Sequence, residues 1–174
     1  QETSCHDVIT DPAEKKTIYD PSHFGYGNQG HTFGDSLLPE ARSAILEYLK
    51  TLSYCTGKTG IIGTCSGGRH AYLVSCRVPG FSAVVDCWGG NVFMPSDRLT
   101  SKQPVAPIDY TEDLSCPLLG IFGNDDQSPS VEQVDRHEVE LKRQGKSYEF
   151  HRYDGAGHAF WYYDRPAYRQ EQAM

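Results

Sequence analysis

The chain has no apolar run near the ~18–20 residues that a membrane-spanning helix requires, and no charged stretch followed by an apolar one opens it. A membrane span and a secretory leader are therefore not expected. It also lacks a CxxC pair and any close Cys/His spacing of the zinc type, although six cysteines are present: Cys5, Cys55, Cys65, Cys76, Cys87 and Cys116. With nothing pointing to export, they read as reduced thiols of a cytoplasmic protein, those in apolar runs acting as small hydrophobes. Basic clusters are missing as well: 16 Lys and Arg are scattered among 23 Asp and Glu, for a formal charge of −7. Such a balance gives no footprint for a phosphate backbone, so nucleic acid is not an expected partner. His6, His23 and His31 are too irregularly spaced for a metal site, and neither metal nor cofactor is expected. Internal repeats and low-complexity tracts are absent. What is there, 174 residues with 38% apolar side chains, suffices for one domain with a lean core.

Residues 1–34 are polar and carry the turn signals Asp11-Pro12 and Asp20-Pro21, which predicts a loop-rich segment ahead of a core spanning 35–174. Asp35 or Ser36 can cap a helix in which Leu38, Ala41, Ile45, Leu49 and Leu52 form one apolar stripe. Short apolar runs at 59–64, 81–87, 117–122 and 147–153 read as strands, with helical patterns at 69–76 and 131–143, the latter ended by Gly145. This alternation predicts an α/β fold: a doubly wound, mostly parallel sheet with helices on both faces and ligand sites at the carboxyl ends of its strands. The chain starts at Gln1, and Pro166 begins what reads as the first turns of a helix with no C-cap. The native protein is accordingly expected to extend beyond both ends, and its sheet to lack its first strands here.

Between the first of those strands and its helix stands Gly63-Thr64-Cys65-Ser66-Gly67-Gly68, of the form G-x-C-x-G-G. This is a nucleophile elbow with Cys in place of Ser, the flanking glycines allowing a strained turn to close. Such a turn lifts the thiol above the sheet, sets it at a helix N-terminus that favours thiolate, and aims the Ser66 N–H at a developing oxyanion. The plainer reading is a structural Cys in a Gly-rich turn. A thiol nucleophile is served by an imidazole, and Gly155-Ala156-Gly157-His158 presents one after the last strand. Asp125-Asp126 follow the preceding strand, and Asp126 is preferred as the group that orients His158. The chain order Cys, Asp, His, each after a strand, is that of an α/β-hydrolase.

On these three stretches, Gly63–Gly68, Gly123-Asn124-Asp125-Asp126 and Gly155–Phe160, the sequence resembles the dienelactone hydrolase family, in which the elbow carries Cys. The resemblance implies Cys65 as nucleophile, His158 as base, Asp126 as its orienter, the Ser66 N–H as an oxyanion donor, and a lactone or carboxylic ester as the small-molecule substrate. Where the resemblance places a substrate-holding Arg, four residues after the His, this chain has Tyr162, with Arg165 the nearest Arg. Arg69, Arg165 and Arg169 nevertheless lie close in sequence to the proposed site, which predicts a cationic mouth and an anionic group beside the scissile ester, neutral esters being the alternative. Trp88 either walls the site or packs beneath it, and the run Phe160-Trp161-Tyr162-Tyr163 either lines an acyl pocket or anchors the last helix. Arg69 and His70 receive no role. The competing class is a truncated, non-catalytic binding or assembly module whose open sheet edge pairs with another copy.

Overall fold

The computed structural model describes residues 10–11, 16–17, 39–100 and 104–174, with side chains from residue 44 onward in the first helix. Readings on Cys5, His6, His23, His31, the Asp35/Ser36 cap and Leu38 lie outside the described residues. Two short strands, β1 (Thr10–Asp11) and β2 (Lys16–Thr17), pair antiparallel. Helix α1 (Pro39–Thr51) has Pro at its first position, where the missing N–H costs nothing. Its deepest side chain is Leu46, 3% exposed, whereas Ile45 and Leu49 are only half-buried. The buried edge of the helix is thus turned from the expected stripe. The cause is its neighbour: Leu46 Cδ2 lies 3.0 Å from where a Cβ on Gly80 would stand, so the helix leans on the turn after the elbow helix.

Among the described residues four strands build the main sheet: β3 (Gly60–Thr64), β4 (Ala83–Cys87), β5 (Leu118–Gly123) and β6 (Tyr148–Tyr153), in that spatial order and all parallel. Parallel neighbours need crossovers, supplied by α2 (Ser66–Arg77), by a long connection holding 3₁₀ turns at Ser96–Arg98 and Pro107–Asp113, and by α3 (Val131–Arg143). The α/β architecture is therefore as the alternation predicted. Register aligns Thr64 with Cys87 and Cys87 with Ile121, so the residues that leave β3, β4 and β5 emerge at one level. Helix α3 starts with a reciprocal capping box, Ser130 Oγ accepting from the Gln133 N–H and Gln133 Oε1 accepting from the Ser130 N–H.

Strand alternation divides the core. Val84 and Leu118 face Ala71, Tyr72 and Cys76 of α2 and Leu141 of α3, with Ile108 of the second 3₁₀ turn closing the cluster. On the opposite face, near the carboxyl ends, Cys87 and Trp88 meet Ala156 and Phe160, with Val85, Ile121 and Trp161 at the margin. The segment after β6 thus covers this face. The expected helix from Pro166 begins later, as α4 (Gln170–Ala173), with turns before it. Arg169 explains the delay: its N–H donates to the Phe160 carbonyl at 2.8 Å, and its guanidinium takes the Pro166 carbonyl that a helix starting there would have needed.

Gly63 is the residue on which elbow closure depends most. A Cβ there would lie 2.0 Å from the Gly67 carbonyl oxygen and 2.2 Å from its carbon, both backbone atoms that cannot step aside. Gly63→Ala is expected to lower the free energy of unfolding by about 2–4 kcal/mol, read as a reduced urea midpoint. Gly67→Ala, where a Cβ meets nothing within 4 Å, is expected to stay near wild type.

Candidate active site

Cys65 links β3 to α2 with φ 56° and ψ −126°, backbone that an L-residue holds only under constraint, at a cost of about 1–3 kcal/mol. Two hydrogen bonds impose it: the Cys65 N–H donates to the Cys87 carbonyl at 2.9 Å, and the Gly68 N–H donates to the Cys65 carbonyl at 3.0 Å. The side chain stands exposed at the helix N-terminus, where the Ser66 N–H favours its thiolate form. Trp88 at the end of β4 and Ala159 beside His158 also have positive φ, 44° and 61°. Backbone strain is concentrated around one spot.

The structure brings His158 and Asp126 to that spot. Imidazole Nδ1 and Asp126 Oδ2 are 2.7 Å apart, and Asp126 Oδ1 accepts the Ser128 N–H at 2.8 Å, so both carboxylate oxygens are engaged on a residue only 5% exposed. The loops that carry them are stitched together, the Asn124 N–H donating to the Tyr153 carbonyl and the Asp125 N–H to the Ala156 carbonyl. Asp125 itself is exposed. On its other side the imidazole meets the Cys65 thiol, closely enough that each group shifts the titration of the other.

This chain of contacts moves both titrations in the same chemical direction. His158 is raised to about 10, first by its hydrogen bond to Asp126 and then by that to Cys65, against partial burial. Cys65 is lowered, first by His158, with burial opposing and the Ser66 N–H and Arg69 charge assisting. A lowered thiol beside a raised imidazole is a thiolate–imidazolium pair over the range between them. Removing the imidazole removes the principal cause of the lowered thiol. His158→Ala is therefore expected to move the pH midpoint of Cys65 alkylation upward and to slow alkylation near neutral pH, measured with iodoacetamide across pH 5–9.

Trp88 is fully buried and reaches the site through the imidazole, its ring edge-on to His158 at 6.2 Å between centroids and packed on Trp161 at 4.5 Å and Phe160 at 5.5 Å. Tyr162 comes over the second face to share a hydrogen bond with Thr64, Oη to Oγ1 at 3.1 Å, one residue before Cys65. Arg165 is exposed, with its backbone N–H on the Tyr162 carbonyl. Of the other two cations expected at the mouth, Arg69 donates to the Gly90 carbonyl at 3.1 Å and Arg169 to the Gly155, Pro166 and Tyr168 carbonyls. These guanidiniums are committed to the protein's own backbone.

The sequence reading passed over Asp86, a lone acid in the apolar strand β4. It is completely buried, Oδ1 accepting the Gly89 N–H at 2.8 Å. Among the described residues no group of three or more His, Cys, Asp or Glu side chains could hold a metal ion, and no helix is long and apolar enough to cross a membrane. The five described cysteines are free thiols.

A parallel sheet with its strained Cys elbow between strand and helix defines an α/β-hydrolase-type domain. The model of the dienelactone hydrolase family matches residues 16–174, and the chain belongs to that family. A "Putative carboxymethylenebutenolidase" of Methylorubrum extorquens is 39% identical over 119 residues, 68% of this chain and 40% of that protein. Another of that name, from Synechocystis, is 29% identical over 158 residues, 86% of this chain and 62% of the relative. The crystal structure of a "Putative Dienelactone Hydrolase" from Klebsiella pneumoniae superposes with a TM-score of 0.70 at 26% identity, covering 80% of this chain and 57% of that one. The chain thus spans about 40–60% of the length of these relatives.

Proposed function

We propose that this protein hydrolyses a lactone or carboxylic ester through a cysteine nucleophile, with Cys65, His158 and Asp126 as the catalytic residues. The observation that carries the proposal is the imidazole bridging an exposed thiol at a strained elbow and a buried, doubly bonded carboxylate. A free thiol of pKa ~8.5 is only about 3% ionised at pH 7, and the pairing with His158, the first cause of the lowered Cys65, puts more of the thiol in its nucleophilic form. The thiolate attacks the ester carbonyl, and the Ser66 N–H receives the tetrahedral oxyanion. As the carbonyl reforms, the C–O bond to the alkoxy group breaks and the imidazolium gives that oxygen its proton. In a lactone the released hydroxyl stays attached to the acyl chain. Acylation removes the thiolate, one of the two partners that raise His158, and the imidazole, left neutral by its proton transfer and less basic than before, takes a proton from water without holding it too tightly. The hydroxide so formed attacks the thioester, and Cys65 leaves as thiolate with the free acid.

Tyr162, at the rim beside Thr64, and Arg165 are assigned to the substrate side, whereas Trp88, fully buried, packs beneath the site and supports the imidazole instead of walling a substrate pocket. With Arg69 and Arg169 bound to carbonyls, Arg165 is the cation left to meet an anionic substrate. The test of the nucleophile is thiol competition. Burial pushes Cys76 and Cys87 up to about 12 and raises Cys116, while Cys65 is lowered. Limiting iodoacetamide followed by peptide mapping is expected to label Cys65 ahead of Cys55, Cys76, Cys87 and Cys116. Preferential labelling of another thiol would favour a binding module over an enzyme.

A further inference from the structure

The first turn of α2 and the turn after β4 interlock around two charged side chains that the reaction above does not use. Asp86 Oδ1 lies 2.2 Å from where a Cβ on Gly68 would stand and 2.3 Å from where one on Gly89 would stand, so the carboxyl fills the space left by two glycines. The Gly89 backbone presses equally on α2, its notional Cβ 2.5 Å from the Arg69 nitrogen. From the helix side, the Arg69 guanidinium reaches across to the Gly90 carbonyl at 3.1 Å. Both side chains keep one buried polar atom without a hydrogen-bond partner, Asp86 Oδ2 and Arg69 Nε. A buried polar atom without a partner is costly, and each of these charged side chains carries one although its other polar contact is made.

We infer that Arg69 and Asp86 are positioning residues of opposite sign, Arg69 setting a positive charge in the first turn behind Cys65 while fastening the Trp88–Gly90 turn behind His158, and Asp86 setting a negative charge against it from beneath that turn. The inference rests on Cys65 being the nucleophile. Arg69 stands between the two acids: its backbone N–H donates to the Cys65 carbonyl at 3.4 Å, while Gly89, which closes over Asp86, presses on the same nitrogen, and its charge accordingly acts on both Cys65 and Asp86. Cys65 is faced by His158 and Arg69, and Asp86 by Arg69 and the Gly89 N–H, with Tyr72 and Cys87 also feeling the Asp86 charge. Burial raises the Asp86 carboxyl to about 7, with the Gly89 N–H and Arg69 working against that rise. The clamp also extends to the base. Gly90 is two residues from Trp88, whose ring backs the imidazole, so Arg69 joins the elbow to His158 by a second route besides the meeting of thiol and imidazole.

The test is the pH profile of Cys65 alkylation by iodoacetamide in the full chain, read by peptide mapping, in wild type, Arg69→Met, Arg69→Lys and Asp86→Asn. Removing a positive charge at this range is expected to raise the midpoint by about half a pH unit or more. Arg69→Lys, which keeps the charge, is expected to stay close to wild type, and Asp86→Asn, which keeps an acceptor for Gly89, to lower the midpoint. Opposite shifts from neighbouring sites are what loosened packing does not produce. An unchanged midpoint in Arg69→Met, or a shift in the same direction in Asp86→Asn, overturns the inference. Should Asp86→Asn fail to fold, the contrast between Met and Lys at position 69 decides alone. If wild-type Cys65 is not the preferred thiol, the nucleophile assignment falls and this inference with it. Preferential Cys65 labelling with unmoved midpoints rejects only the Arg69–Asp86 pair.

Discussion

Asp126→Asn is expected to reduce ester turnover by on the order of 10⁴, while Asp125→Asn leaves it within a few-fold of wild type. The two acids are adjacent in sequence and opposite in environment. Asp126 is buried, with one oxygen 2.7 Å from His158 Nδ1 and the other holding the Ser128 N–H, whereas Asp125 is exposed. An amide in place of Asp126 keeps the shape but can present its NH₂ to Nδ1. It then selects the tautomer whose proton faces Cys65, and the imidazole can no longer accept from the thiol. Removal of Asp126 also withdraws the first cause of the raised His158. The pH dependence of activity should therefore shift along with its size. Comparable losses from both variants would mean that the carboxylate acts through general charge rather than through the ring.

Cys65→Ser is expected to lower turnover by about a thousandfold or more, although it differs by one atom. The elbow would still hold the side chain at φ 56°, and His158 would still face it. What changes is acidity: a hydroxyl is far harder to ionise than a thiol, and a site that holds thiolate beside imidazolium is built for the softer anion. Turnover of a chromogenic acetate ester, with circular dichroism to verify folding, is the measurement. Activity retained in Cys65→Ser would place the chemistry elsewhere.

The parts of this site that sequence patterns expose are those with local rules. Strand, tight turn and helix around Cys65 follow from a short apolar run, two glycines and a helical pattern, and helix Val131–Arg143 was legible from its periodicity and closing Gly145. Asp126 and His158 were legible because both follow strands, where a parallel sheet gathers its ligands. Three features were not legible. The buried edge at Leu46 depends on which turn α1 leans against, a tertiary fact that a stripe of Ile45 and Leu49 does not contain. The commitment of Arg69 and Arg169 to backbone carbonyls is equally invisible, so three nearby arginines suggested a more cationic mouth than the side chains provide. Asp86 left a signal, one acid within Ala-Val-Val-Asp-Cys, but its meaning depends on Gly68 and Gly89 closing over it from two other segments.

The most direct test of the account is to trap the acyl group. The protein is mixed with p-nitrophenyl acetate, quenched in acid within the first turnover, digested and mapped by mass spectrometry. One acetyl group is expected as a thioester on the peptide carrying Cys65, and none on that peptide in Cys65→Ser at the same time point. Acetyl groups spread over lysines and other thiols with Cys65 unmodified, alongside undiminished ester turnover, would contradict it.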